Sequence, residues 1–200
     1  MNRKTWLLAA ASALLFASAG AASAQAVAGK TTAIYDTTAP GGWLGFNGFD
    51  IYQDQRVAAR FTAPADGDMR LARIGIWFMN NSDTVRAKMR ISLQTDTLDD
   101  GGEATMPSGK VLEKWVARVA TLGWSPVEQF FTTTKLPRLK AGHSYWVVAE
   151  SMADFQDPVW LFASQGLQVN TVGHADGVWY PGGEAGALTL HVDAVPAQAE

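Results

Sequence analysis

The chain has 200 residues, 16 of them basic and 19 acidic, for a formal net charge of -3, and it contains no cysteine. That balance argues against tracking a phosphate backbone, which needs clustered Lys and Arg. The missing cysteines exclude a disulfide framework and a thiol nucleophile, so an ordinary hydrophobic core must carry the stability.

In chain order the first element is an export signal. Arg3 and Lys4 precede the apolar run "WLLAAASALLFASAGAA", which ends in Ala22-Ser23-Ala24, the small-x-small pattern that a signal peptidase accepts. The run is short and rich in alanine for a transmembrane anchor, so residues 1–24 read as a signal peptide cleaved after Ala24. Loss of Arg3 and Lys4 leaves 14 basic against 19 acidic residues, a net charge of -5. The remainder, residues 25–200, is expected to be one secreted domain, with no later apolar run that spans a bilayer. Its last residues, "PAQAE", read as a tail.

Next comes "TTAPGGWLGFNGFDIY", residues 37–52, which sets four glycines among four aromatics. It reads as a flexible turn whose aromatics either reach outward, as a sugar-stacking platform, or fold inward to plug the end of a barrel or sandwich. Beyond it the dominant period is two. In "VRAKMRISLQT", Val85, Ala87, Met89, Ile91 and Leu93 alternate with Arg86, Lys88, Arg90, Ser92 and Gln94, which predicts a strand with one apolar and one polar face. The densest basic run, "RAKMR", is thereby read as part of a strand face.

The following turn, "DTLDDGGE", gathers Asp96, Asp99, Asp100 and Glu103. Hard carboxylate oxygens suit calcium, although the spacing is not that of an EF-hand loop. The other reading is a solvated hairpin connection in which Gly101 and Gly102 supply positive backbone angles. β-Branched and aromatic runs follow in "VEQFFTTTK" and "SYWVVAES", and alternation returns in "ALTLHVDAV", where Leu188, Leu190 and Val192 oppose Thr189, His191 and Asp193. Turn signals such as "APADGD", "NNSD", "LGWSP", "HADG" and "YPGGEAG" separate these runs. No helical period intervenes. The expectation is an all-β chain of about eight to ten strands, folded as an antiparallel, jelly-roll-like β-sandwich.

Signals of chemistry are sparse. His143, His174 and His191 are far apart and lack a metal-binding spacing, and no nucleophile elbow, P-loop or dinucleotide fingerprint is present. Asp50, Asp54, Glu113, Glu128 and Glu150 are available as a carboxylate pair for glycoside hydrolysis only if folding sets them at the required separation. No catalytic residue is therefore assigned. The tryptophans divide by context. Trp77, Trp115, Trp146 and Trp160 lie in strand-like runs and are expected to pack in the core. Trp43, Trp124 and Trp179 stand beside Gly or Pro in connections. With Phe46 they form the candidate ligand-binding set, either stacking on sugar rings or capping the open end of the sandwich. Asp96, Asp99 and Asp100 form the candidate metal set.

The runs "DQRVAARFTAPADGDMRLARIGIWF", "RISLQTD", "PSGKVLEKW" and "FTTTKLPRLKAGHSYWVVAES", followed by a strand carrying Trp160, together resemble the exported β-sandwich domains of bacterial PEP-CTERM and choice-of-anchor proteins over residues 55–163. The shared positions, Leu139, Ala141, Gly142, Tyr145 and Trp146, are hairpin and core positions in that family, so the resemblance carries over no catalytic residue. Family members usually end in a Pro-Glu-Pro motif, an apolar helix and an arginine cluster, whereas this chain ends in "DAVPAQAE". Release into the periplasm or medium is the corresponding expectation. The resemblance implies a role in extracellular matrix or exopolysaccharide. The expected function is thus a secreted, non-enzymatic binding or structural protein of the cell exterior that takes a polysaccharide or an extracellular protein as partner. A protein-interaction module and a polysaccharide-degrading enzyme are the alternatives.

Overall fold

A computed structural model describes residues 30–38, 43–82, 84–98, 105–120, 125–164, 170–174, 177–181 and 187–197. None of them is helical. The seven-stranded sheet contains β1 (Thr32–Asp36), β2 (Trp43–Asp50), β4 (Met69–Asn80), β7 (Val127–Thr132), β8 (Arg138–Leu139), β10 (Pro158–Ala163) and β13 (His191–Pro196). The six-stranded sheet contains β3 (Gln55–Thr62), β5 (Ala87–Leu98), β6 (Thr105–Val119), β9 (Ser144–Ser151), β11 (Asn170–His174) and β12 (Trp179–Pro181), in the order β12-β11-β3-β9-β5-β6.

All the pairings between these strands are antiparallel. Only β5 with β6 and β11 with β12 join strands adjacent in sequence. Elsewhere the chain passes repeatedly from one sheet to the other, which is the jelly-roll-like sandwich that the period-two pattern predicts. Thirteen strands among the described residues exceed the expected eight to ten. The excess comes partly from β8 and β12, too short to leave a periodic signal, and partly from β2, hidden in the glycine-rich segment read as a turn.

β4 is the hub of the seven-stranded sheet. Along its twelve residues it pairs with β13 through Met69–Gly75 and with β10 through Phe78–Asn80, and it also carries β7 and β8. Alternation directs its Ile74, Ile76 and Phe78 into the core, and a break in the register opposite Asp193 and Ala194 brings Leu71 to the same face. From the other sheet come Val57, Ala59 and Phe61 of β3, Met89, Ile91 and Leu93 of β5, and Tyr145, Val147 and Ala149 of β9. Trp160 fills the centre, fully buried, with its ring centroid 6.1 Å from that of Phe78 and its Nε1 donating to the Thr189 carbonyl at 2.7 Å. Burial of an indole without loss of its hydrogen bond is the favourable way to spend so much apolar surface.

Two expectations are corrected. Val85 lies outside β5 and is exposed; the strand begins at Ala87. Only Trp160 of the four strand tryptophans lies in the main core. Trp115 packs at its margin, whereas Trp77 and Trp146 belong to separate small clusters, with Met79, Val159 and Leu161 for the first and Ala58 and Val148 for the second. Their strand parity points them away from the inner faces.

The terminal strands are tied by polar side chains. On β13, His191 lies 3.1 Å from Asp36 of β1 and 2.9 Å from Asp193, which is also ion-paired with Arg73 of β4. Burial pushes the Asp36 carboxyl up, but hydrogen bonds from the Thr38 hydroxyl and amide, together with His191, outweigh it and hold the group below the usual carboxylate range.

The glycines of β2 serve close approach. A Cβ on Gly48 would collide with the Trp160 carbonyl of β10, which is backbone and cannot swing aside. Gly67 has nothing within 4 Å of the equivalent position. Gly48→Ala is expected to lower stability by about 2 kcal/mol or more, whereas Gly67→Ala leaves it within about 0.5 kcal/mol. Urea unfolding of both variants measures the difference.

Candidate binding site

The register of the six-stranded sheet builds a row of side chains across its outer face. Gly173 of β11 pairs with Trp179 of β12 on one side and Arg56 of β3 on the other. Because Val57 pairs with Ala149, Arg56 stands beside Glu150 of β9, and Glu150 pairs in turn with Arg90 of β5. The inward parity of Val57, Ala149 and Met89 forces their polar neighbours outward. Trp179, Arg56, Glu150 and Arg90 therefore line up although they are far apart in sequence.

Each member is held. The Arg56 guanidinium carbon lies 4.3 Å from the centre of the Trp179 ring, a cation–π stack. Glycine at 173 is required, because a Cβ there would come within 2.7 Å of both Arg56 Nε and the Trp179 ring. Trp179 also packs on Ala58, Trp146 and Val148. Glu150 lies 3.9 Å from Arg56 and 3.5 Å from Arg90. Exposed ion pairs at such distances contribute little stability, of order 0–1 kcal/mol. Arg56 Nε is buried and accepted by no oxygen.

Two depressions flank this triad. One, about 240 Å³, is lined by Tyr52, Gln53, Asp54, Gln55 and Ser151 in addition to Arg56, Arg90 and Glu150. The other, about 500 Å³, runs over Ser92 and Gln94 between Trp179, Val111, Lys114 and Lys135. Its floor is rigid, since Gln94 accepts from the Gly109 amide at 3.0 Å and donates to Ser92 Oγ at 3.0 Å. Arg56, Arg90 and Glu150 border both depressions and form the ridge between them.

The residues singled out from sequence are dispersed. Of the candidate ligand set, Trp179 lies in this row, on a strand rather than in a loop. Phe46 is exposed on β2, which belongs to the other sheet, so it shares no platform with Trp179. The Trp43 backbone is also part of β2, while its side chain and all of Trp124 lie outside the described residues. Of the candidate metal set, Asp96 accepts the Trp146 indole hydrogen bond at 2.6 Å, and Asp99 and Asp100 lie outside the described residues. Among the described residues no three His, Cys, Asp or Glu side chains gather as a metal site.

The carboxylates are equally scattered. Glu113 is buried and accepts hydrogen bonds from the Thr133 hydroxyl, and from the Thr134 amide at 2.7 Å, so it clamps the turn after β7. Glu128 sits near Asp36, His191 and Arg73, with its pKa raised chiefly by burial. Asp54 and Glu150 border the same recess. His143 is exposed in a turn, and the His174 side chain lies outside the described residues. Sequence reasoning missed Arg56, Arg90 and Gln94; the outward parity of "RISLQ" was the one available signal.

Compared with known proteins, the chain matches no family model and no curated protein.

Asp50 ends β2 beside Asp157 and Asn81, whose Nδ2 donates to Asp50 Oδ1 at 3.4 Å and to Asp157 Oδ2 at 3.1 Å. Burial, and then the charge of Asp157, push the Asp50 carboxyl above its ordinary range. A raised folded-state value means that the stability contribution is full below the unfolded pKa, about 3.9, and is lost as pH rises through the folded value. Asp50→Asn is therefore expected to raise Tm at neutral pH. The gain should vanish below about pH 3.9, as thermal melts across pH will show.

Proposed function

We propose that this protein is a secreted, non-enzymatic carbohydrate-binding module of the bacterial cell exterior, and that its ligand lies across the outer face of the six-stranded sheet. The observation that carries the reading is the pair of depressions on either side of the Arg56–Glu150–Arg90 ridge, a surface with fixed polar groups. Rigid sheets that present convergent polar side chains over an open groove suit a polymer better than a small molecule. The export signal of residues 1–24 and the resemblance to exported PEP-CTERM and choice-of-anchor domains support the exterior location. Glu113 is sealed against a turn, and of the two carboxylates that share the smaller recess, Asp54 and Glu150, the second stands between two arginines, an environment that favours binding over hydrolysis.

The test is pull-down of the protein on insoluble and immobilised polysaccharides. Val111 is exposed at the groove wall, so Val111→Trp fills the groove without disturbing the core. Loss of binding by about ten-fold or more, with Tm unchanged, is expected. Phe46→Ala should bind as the parent does. If Phe46→Ala abolishes binding and Val111→Trp does not, the ligand sits on the other sheet and this site assignment fails.

A second reading, a protein-interaction module, is favoured by one observation. Phe155, in the connection between β9 and β10, is 94% exposed and has a φ of 57°. A bulky side chain held in the left-handed region costs of order 1–3 kcal/mol, and such strain clusters at functional positions. Phe155→Gly is expected to stabilise the fold while abolishing concentration-dependent assembly in light scattering. A parent protein that stays monomeric at all concentrations removes self-association from this reading.

A further inference from the structure

We propose that the ligand of this face is an acidic polysaccharide, whose carboxylates are received by Arg56 and Arg90 on either side of Glu150. The inference rests on the glycan reading above and names its substrate class. Charge is the first argument. Among the described residues the larger groove carries Arg56, Arg90, Lys114 and Lys135 against the single carboxylate of Glu150, in a chain whose formal net charge is -3. A local cationic cleft on an acidic protein attracts polyanions and adds nothing for a neutral polymer.

The arginines themselves are the second argument. Glu150 reaches them at 3.9 and 3.5 Å, well beyond the about 2.7–2.9 Å of a charge-assisted hydrogen bond. Arg56 is held on Trp179 with its Nε buried and unsatisfied, so internal pairing does not explain its placement. A guanidinium whose plane is already fixed loses little entropy on receiving a planar carboxylate. Glu150 acts as a place-holder that the ligand's carboxylates replace.

Shape is the third. Depressions on both sides of the ridge accommodate successive residues of a chain, whereas a free anion needs one pocket. Single-stranded nucleic acid is disfavoured, because its binders offer aromatic rings to the bases. Here Trp179 carries Arg56 on its ring and Trp146 is fully buried, which leaves Tyr52, at the smaller depression, as the one exposed ring among the described lining residues, too few for successive bases. An acidic peptide gains most from a free strand edge, and this row crosses the face of the sheet.

Calorimetry of the full exported protein with polygalacturonate, dextran, polyglutamate and single-stranded DNA tests the inference. Polygalacturonate is expected to bind most tightly and to weaken at least about five-fold between about 50 and 200 mM salt. Arg90→Ala with Lys114→Ala should weaken it about ten-fold. Glu150→Gln should tighten it about three-fold or more, because the competing charge is gone; a purely structural Glu150 would give the opposite sign, and weaker binding by this variant overturns the exchange. Dextran bound as tightly as polygalacturonate, with the same loss in Val111→Trp, overturns the acidic-ligand inference and leaves the glycan reading standing. No binding to either polysaccharide removes both. Polyglutamate or DNA bound as tightly as polygalacturonate overturns the choice of a glycan.

Discussion

Everything on the outer face depends on the register of β3, β9 and β5. Each strand buries alternate residues against the opposing sheet, so a slip of one residue would exchange every inward side chain for an outward one. The penalty is severe where Val57, Phe61, Ile91, Leu93 and Val147 are all removed from water, at about 25 cal/mol per Å² of apolar surface. That burial locks the register. Locked register in turn sets Arg56, Glu150 and Arg90 side by side on the solvent face, a consequence of core packing rather than of any attraction among the three.

The opposite sheet is organised around one long strand. β4 carries β13 and β10 along one stretch after the other, and β7 and β8 as well, and β13 in turn carries β1, so the first and last strands of the described chain pair with each other beside β4. Such pairing of distant segments has a high loop-closure cost in folding. Polar side chains complete the closure: His191 between Asp36 and Asp193, with Arg73 on the latter, joins β1, β13 and β4 at the edge of the core. A protein without disulfides holds its terminal strand by these contacts and by the hydrogen bonds of the ladder.

Charge segregation links the fold to the proposed role. Arg56, Arg60, Lys88, Arg90, Lys114 and Arg118 all project from the outer face of the six-stranded sheet, where Glu150 and Asp96 are the acidic side chains among the described residues. Asp96 is committed to the Trp146 indole. The face is thus cationic although the chain is acidic overall. Trp179 contributes by fixing Arg56 in place, a use of the indole outside the two expected of an aromatic beside glycine and proline, stacking on a sugar ring or capping the end of the sandwich.

By itself the sequence determined what local periodicity and composition decide. Alternation in "AKMRISL" is a property of neighbouring residues, so that strand, its buried face and the all-β class were legible; in "LTLHV" the strand begins only at His191, and Thr189, expected on the polar face, is fully buried beside Leu188 and Leu190. The glycine-rich 43–50 segment was not legible, because glycine at 48 answers to the Trp160 carbonyl of β10, more than a hundred residues away. Nor was the face legible: Arg56, Arg90 and Glu150 carry no motif, and their neighbourhood arises only when three strands align. The same limit applied to the aromatics. Sequence context grouped Phe46 with Trp179, but a sandwich assigns adjacent connections to different sheets, and only tertiary structure decides which side chains share a surface.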